Sequence, residues 1–505
     1  MTAGGRPGGT GVGSVPLGNN RTPPIPLAAV ASAVDDAQVR GGADLEVADA
    51  SFDTREVVPG SLFFCVRGAT VDGHDLAAEA LAAGAAALVV ERWLDLPAPQ
   101  VRVPSVRAAM GPMSAALFGR PADAVAIVGI TGTNGKTTTT YLLESILRAG
   151  GEVPAVIGTT GARIAGEPVA IARTTPEAPD LHRLLAVMRD RGVTAVAMEV
   201  SSHALAQDRV GGVRFDVAAF TNLSQDHLDF HGDLASYFDA KASLFTLERA
   251  ASAAINLDDE HGRRLRAGSP VPGLTYGLSG DADVRATDLE VDTSGISFRL
   301  DGRTITSSLR GSFNVGNCLC AIAVARLLGI DDETAAEGIR SLRGVPGRAE
   351  PVDEGQDFLV VVDYAHTPDS IQTVLAAARD VASGRVIVVF GCGGDRDRGK
   401  RPLMGAAATS AADLTIITSD NPRSEDPLAI IDEIEAGARR GGGQYVIEPD
   451  RRAAIRAAVA GASTGDVVVI AGKGHEQGQE FGDRTVPFDD RAVAAQALRA
   501  AGGAR

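Results

Sequence analysis

Thr131 to Thr137 read Thr-Gly-Thr-Asn-Gly-Lys-Thr, between an apolar run, VAIVGI, and a stretch with helical character, TTTYLLESILRAG. This context suits a loop that cradles phosphates. Gly132 and Gly135 let the backbone N–H groups of the Thr131, Thr133 and Asn134 neighbourhood approach phosphate oxygens. Lys136 brings a point charge to the β and γ groups, and Thr137 offers its hydroxyl to Mg²⁺. The loop departs from the usual GxxxxGK[ST] form, because Ile130 stands where the first glycine is expected. Such loops also serve kinases and switch GTPases, but the guanine-reading NKxD sequence is absent. Glu199 closes the apolar run TAVAMEV, where a carboxylate at the carboxyl edge of a sheet suits a hard cation that prefers oxygen ligands. Farther along, SDNPRSEDP places Asp420, Asn421, Pro422 and Arg423 in a turn directly after another strand.

Of 48 basic residues only four are lysine: Lys136, Lys241, Lys400 and Lys473. Where arginine has replaced lysine almost everywhere, a surviving lysine marks a place that needs a compact ammonium or an amine able to lose its proton. Lys241 sits in a helical segment, YFDAKASLF, with no carboxylate three or four residues on.

The elements that must position these residues are strands alternating with helices, so the fold class is α/β with three domains. Residues 1–24 are rich in glycine and proline and read as a flexible tail. Residues 25–121 form a small α/β domain with strands near SLFFCV and AAALVVE. Residues 122–345 form a central phosphate-loop domain with strands at TAVAMEV, FDVAAFTNL and ASAAINL, expected to make a parallel sheet. Residues 346–505 form a Rossmann-like domain with strands at FLVVVDYAH, RVIVVFGCGG, ADLTIITSDNPR and GDVVVIAGKGHE. Thr367-Pro368 and Asp426-Pro427 are helix starts, a capping side chain followed by proline. Ligands of such sheets bind beyond the carboxyl ends of the strands.

Composition narrows the functions. A formal charge of −16 argues against a nucleic-acid partner, and no run of about 18 apolar residues argues for a membrane span. With no apolar signal-peptide core in the first residues, the expected location is cytoplasmic. Cys65, Cys318, Cys320 and Cys392 form no CxxC pair and read as small buried hydrophobes.

TGTNGKT, MEVSSHAL, FTNLSQDHLDFHG, the Lys241 segment, GRAE, VVDYAHTPDS, FGCGGDRDRGKRPLMG, SDNPRSEDP and AGKGHE, taken in this order from about Ser51 to Arg491, resemble the Mur ligases. The resemblance implies ATP- and Mg²⁺-dependent amide-bond formation in peptidoglycan precursor synthesis, serving cell shape and division, by a chain expected to act as a monomer on small molecules. It further implies that His227 helps hold a metal ion and that Lys241 is carbamylated, a carboxylate-like group that helps place Mg²⁺ beside Thr137 and Glu199. Asn317, Arg348 and Asp363 match positions that contact ATP. Phe52 and Thr54, in SFDTREVVPGSLFF, match uridine-contacting positions, although the nearby Ala69 and Thr70 stand where some members carry His-Gln. Thr174, Thr175, Ser201, Gln207 and Arg209 match positions around the muramoyl peptide.

For the amino acid to be added, DNPR is similar to the family's diaminopimelate signature, and Arg396, Gly472 and Glu476 match further contacts to it. Diaminopimelate differs from lysine by a second carboxylate, which the Arg423 guanidinium can grip; lysine would leave that arginine unpaired. The implied substrates are ATP, diaminopimelate and UDP-MurNAc-L-Ala-D-Glu. Alternatives are a lysine-adding ligase on the same nucleotide, a folylpolyglutamate synthase-like ligase, and a nucleotide-driven regulatory protein that does not ligate.

Overall fold

The computed structural model describes residues 23–68 and 70–502. The flexible tail expected over residues 1–24 falls almost wholly outside the described residues, as does Ala69. Three large sheets, one per domain, organise the rest.

The N-terminal sheet has the strand order Gln38–Arg40, Gln100–Arg102, Ala87–Val90, Ser61–Phe64, Asp49–Ser51, parallel except for Gln38–Arg40 at its edge. The helix Val106–Leu117 covers it, started by the Ser105 side chain accepting from the Ala108 N–H.

The central sheet runs Glu167–Val169, Gly161–Ile164, Pro154–Gly158, Ala195–Glu199, Ala126–Thr131, Phe215–Phe220, Ala250–Asn256, Gly273–Gly277, Val284–Arg285. From Pro154–Gly158 onward its neighbours are parallel, as the strand-helix alternation predicts. Its first two strands are antiparallel instead, because Thr159 and Thr160 alone join Pro154–Gly158 to Gly161–Ile164, and a connection this short can make only a hairpin. Helices Lys136–Ala149 and Phe313–Leu327 bury one face of the sheet, and Ala178–Asp190 helps bury the other. A meander of Thr287–Asp292, Gly295–Leu300 and Arg303–Ser307 follows, which the sequence reading did not anticipate.

The C-terminal sheet has the order Glu350–Pro351, Leu359–Asp363, Val467–Ala471, Val386–Phe390, Leu414–Ile417, Tyr445–Ile447, parallel after its first pair. Val386–Phe390 and Val467–Ala471 are buried at every residue, consistent with helices on both faces. Helices Pro368–Val381 and Pro427–Gly441 start where their sequences predict: Thr367 accepts from the Ser370 N–H and Asp426 from the Leu428 N–H. Among the described residues no helix is long and apolar enough to cross a membrane, and all four cysteines are buried and unbridged.

Candidate active site

Loops at the carboxyl ends of the central and C-terminal strands line one cleft of about 460 Å³. From the central domain come Thr133 to Thr138, Thr159, Thr174, Glu199, Ser201 and His227; from the C-terminal side come Arg348, Asp363 and His366.

The phosphate loop is held by its neighbours. Thr133 N–H donates to the Asn222 carbonyl at 2.9 Å and Asn134 N–H to Asn222 Oδ1 at 2.9 Å. Gly132 has φ +150°, and a Cβ there would lie 1.8 Å from Thr221 Oγ1, so the turn excludes any larger residue. Asn317 presses on the loop from the helix Phe313–Leu327: a Cβ on Gly135 would meet its Oδ1 at 2.4 Å. Thr131 is buried in the strand end.

Both loop-side amines rest on carbonyl oxygens. Lys136 Nζ donates to Gly132 O at 2.9 Å and Thr133 O at 2.8 Å, while Lys241 Nζ reaches the same Gly132 O at 2.7 Å from the helix Leu234–Ala242. Burial lowers the proton affinity of Lys136. Lys241, 1% exposed, is lowered much further, first by burial and then by the charge of Lys136, with Asp226 opposing.

Glu199, also 1% exposed, accepts at Oε1 from Thr137 Oγ1 and Thr159 N–H, both at 2.9 Å, and at Oε2 from Thr159 Oγ1 at 3.0 Å. Arg348 crosses from the C-terminal domain and donates to the same Thr137 hydroxyl at 2.8 Å. Arg348 also lies over the Tyr364 ring, 4.6 Å from its centre. Asp363 fastens the Arg348 loop to its strand: its carboxylate accepts from Ala349 N–H at 2.6 Å and Ala365 N–H at 2.8 Å, and burial raises its pKa. His227 lies at the mouth, its Nε2 3.2 Å from Asp226, and burial pushes its pKa well below the histidine range.

Around the muropeptide positions, Thr175 Oγ1 donates to Glu199 O at 2.9 Å and accepts from Ser201 N–H at 3.1 Å, and the Thr174 and Thr159 hydroxyls are 3.4 Å apart. Arg209 donates to Gln207 Oε1 at 2.5 Å and pairs with Glu177 at 3.0 Å. Glu177 also pairs with Arg107, from the N-terminal domain, at 2.6 Å and with Arg173 at 3.8 Å. Those three residues were missed by sequence reasoning; the adjacency of Arg173 to Thr174 is the signal that points to them. Phe52 packs against the N-terminal core and Thr54 donates to Glu79 at 2.5 Å, and neither lines the cleft.

The C-terminal loops meet on the Gly472 turn, where φ is +113° and a Cβ would lie 2.5 Å from Asp420 Oδ2. Asn421 Nδ2 donates to Glu476 Oε2 at 2.7 Å. Lys473, fully buried, joins them, donating to Asn421 Oδ1 at 2.9 Å and Glu476 Oε2 at 3.0 Å. Its scarcity value among the lysines was the clue to it. Pro422 precedes Arg423, whose φ is +53°. Arg396 is exposed and donates to the adjacent Asp395 carbonyl at 3.0 Å, while Gly393 lies beneath both arginines. The two loop sets touch through Tyr364 and His475, whose ring centres are 5.4 Å apart.

The chain matches the Mur ligase family catalytic domain over residues 48–116, the Mur ligase middle domain over 130–325, and the Mur ligase glutamate ligase domain over 347–474. It is 49% identical over 471 residues to the UDP-N-acetylmuramoyl-L-alanyl-D-glutamate–2,6-diaminopimelate ligase of Solibacter usitatus, covering 91% of this chain and 95% of that protein. The chain belongs to the Mur ligase family. As a Mur ligase it is an ATP-dependent, amide-bond-forming enzyme. The diaminopimelate ligase of Geobacillus thermodenitrificans is 47% identical over 472 residues, covering 91% of this chain and 96% of the relative. A solved structure of a ligase of the same name superposes with a TM-score of 0.68 at 35% identity, covering 94% of this Mur ligase and 99% of that chain.

Proposed function

We propose that this Mur ligase joins an amino group of diaminopimelate to the D-glutamyl γ-carboxylate of UDP-MurNAc-L-Ala-D-Glu, with ATP activating the acid, in the cytoplasm. What supports this reading most is the likeness to diaminopimelate ligases across nine-tenths of the chain, together with Arg423 in the loop whose Asp420 packs on the Gly472 turn.

A carboxylate is a poor electrophile. Transfer of the γ-phosphoryl group of ATP to it forms an acyl phosphate and releases ADP, and phosphate then becomes the leaving group. The neutral amine of diaminopimelate, having given up its proton, attacks the acyl carbon; the tetrahedral adduct expels phosphate and leaves the amide. The chain's part is position and charge. Lys136 and Arg348 face the phosphates from opposite domains, Thr174 and Ser201 border the acid, and Asn421 with Glu476 receive the amino acid.

Glu199 and the Thr137 hydroxyl, 2.9 Å apart, are hard oxygen donors of the kind Mg²⁺ prefers, and they would hold it with His227, which lines the same cleft. Bound there, Mg²⁺ would neutralise phosphate charge as the two anions approach. The free base of Lys241 can add to CO₂, forming an N–C bond and releasing a proton, which turns a buried amine into a carbamate.

Phosphate release with ATP, Mg²⁺ and UDP-MurNAc-L-Ala-D-Glu, comparing meso-diaminopimelate, LL-diaminopimelate and L-lysine, tests the reading. Release should require both substrates and a diaminopimelate isomer, with the tripeptide product seen by mass spectrometry. Preference for lysine, or release independent of the nucleotide-sugar, would overturn it.

A further inference from the structure

Arg423 does not wait unpartnered for substrate. Its Nε lies 2.8 Å from the Glu480 carboxylate, and its Nη1 donates to the Gly394 carbonyl at 2.8 Å. Glu480 belongs to the hairpin Gly478–Phe481 and Arg484–Pro487, and backbone bonds fix this hairpin to the arginine loop: Arg423 N–H donates to Glu480 O at 3.1 Å and Gly482 N–H to Arg423 O at 2.6 Å. Glu480 N–H also donates to Asn421 Oδ1 at 3.1 Å. The carboxylate is therefore delivered to Arg423 by the main chain, whatever charge the side chain carries. The pair is wet, with 48% of the Glu480 side chain and 23% of that of Arg423 exposed, and so is weak enough to exchange.

We propose that Glu480 is a resident competitor for the second carboxylate of diaminopimelate and thereby sets how strongly the cleft prefers that amino acid to lysine. The proposal rests on the diaminopimelate reading above. With Glu480 in place, binding the distal carboxylate at Arg423 exchanges one carboxylate for another, and only the difference between them favours substrate. With lysine bound, Glu480 stays on Arg423, so the arginine is not left bare and the penalty that rejects lysine is blunted. Glu480 thus lowers both affinity for diaminopimelate and discrimination against lysine.

The test is Glu480→Gln and Glu480→Ala in the full chain, with KM measured separately for diaminopimelate, lysine and ATP. The KM for diaminopimelate should fall about twofold to fivefold, the range expected for an exposed ion pair, while that for ATP does not follow it. The ratio of kcat/KM for diaminopimelate over lysine should rise by the same factor. In an Arg423→Ala background Glu480→Gln should have no such effect, since the competition needs the arginine. An unchanged or raised KM for diaminopimelate in both Glu480 variants overturns the proposal, as does an effect that survives the loss of Arg423. A wild-type enzyme that uses no diaminopimelate overturns the functional reading itself, and this one with it.

Discussion

On the wall built around the phosphate loop, Lys136 and Lys241 lean on the carbonyl oxygens of Gly132 and Thr133, and among the described residues neither forms an ion pair with a carboxylate. On a second wall, formed by the C-terminal loops that meet at Gly472, Arg423 already holds Glu480, and Lys473 and Asn421 already hold Glu476. The two desolvated amines of the first wall rest directly on neutral acceptors, so an arriving anion supplies the close counter-charge they lack. The second is neutralised in advance, so a ligand there can only trade places with a group of the protein. Removing a charge should therefore be severe on the first wall and graded on the second.

The strongest test of that contrast is Lys241→Ala, for which phosphate release should fall by about 10²–10³-fold or more and return in part with a short carboxylate such as acetate. A variant that keeps a tenth of wild-type turnover would break the contrast. Glu199→Gln should come next, lowering turnover by about 10²-fold and raising the Mg²⁺ concentration needed for half-maximal rate, read from a Mg²⁺ titration. Arg423→Ala should raise the KM for diaminopimelate by about 10-fold or more with ATP little affected, a milder change because the freed Glu480 is already half in water. Arg396→Ala, at an exposed side chain, should alter that KM by less than about threefold, consistent with a surface group.

A pH experiment sharpens the same comparison. Burial and Lys136 hold Lys241 below the ordinary lysine range, so the unfolded chain binds that proton more readily than the folded one. Enzyme stripped of CO₂ should lose stability as pH falls from the ordinary lysine range towards the lowered value, and bicarbonate should restore both stability and turnover. Thermal unfolding across pH, with and without bicarbonate, reads this out. The Lys241→Ala variant should show neither response.

The sequence made the first wall legible because phosphate loops are local: a strand, a glycine turn and a helix start within a few residues fix Lys136 and Thr137 together. Lysine scarcity likewise pointed to Lys241 and Lys473, both of which prove buried among polar partners. The three-domain α/β architecture followed from strand and helix alternation, except where short connections forced the hairpin at Gly161–Ile164 and the meander after Ala286. What could not be read was pairing across long sequence distances. Nothing in SDNPR announces that Glu480, carried by a hairpin 57 residues farther on, will meet Arg423. Nor does any motif say that Arg107 and Arg209, from different domains, share Glu177.

The distribution of lysine has a practical consequence for anyone labelling this enzyme. Lys241, Lys400 and Lys473 are buried, and Lys136, the remaining side-chain amine, lines the cleft with its proton affinity lowered by burial. An amine-acylating reagent therefore finds almost no surface lysine to consume it. Modification of Lys136, followed peptide by peptide, becomes a footprint of nucleotide occupancy with very little background.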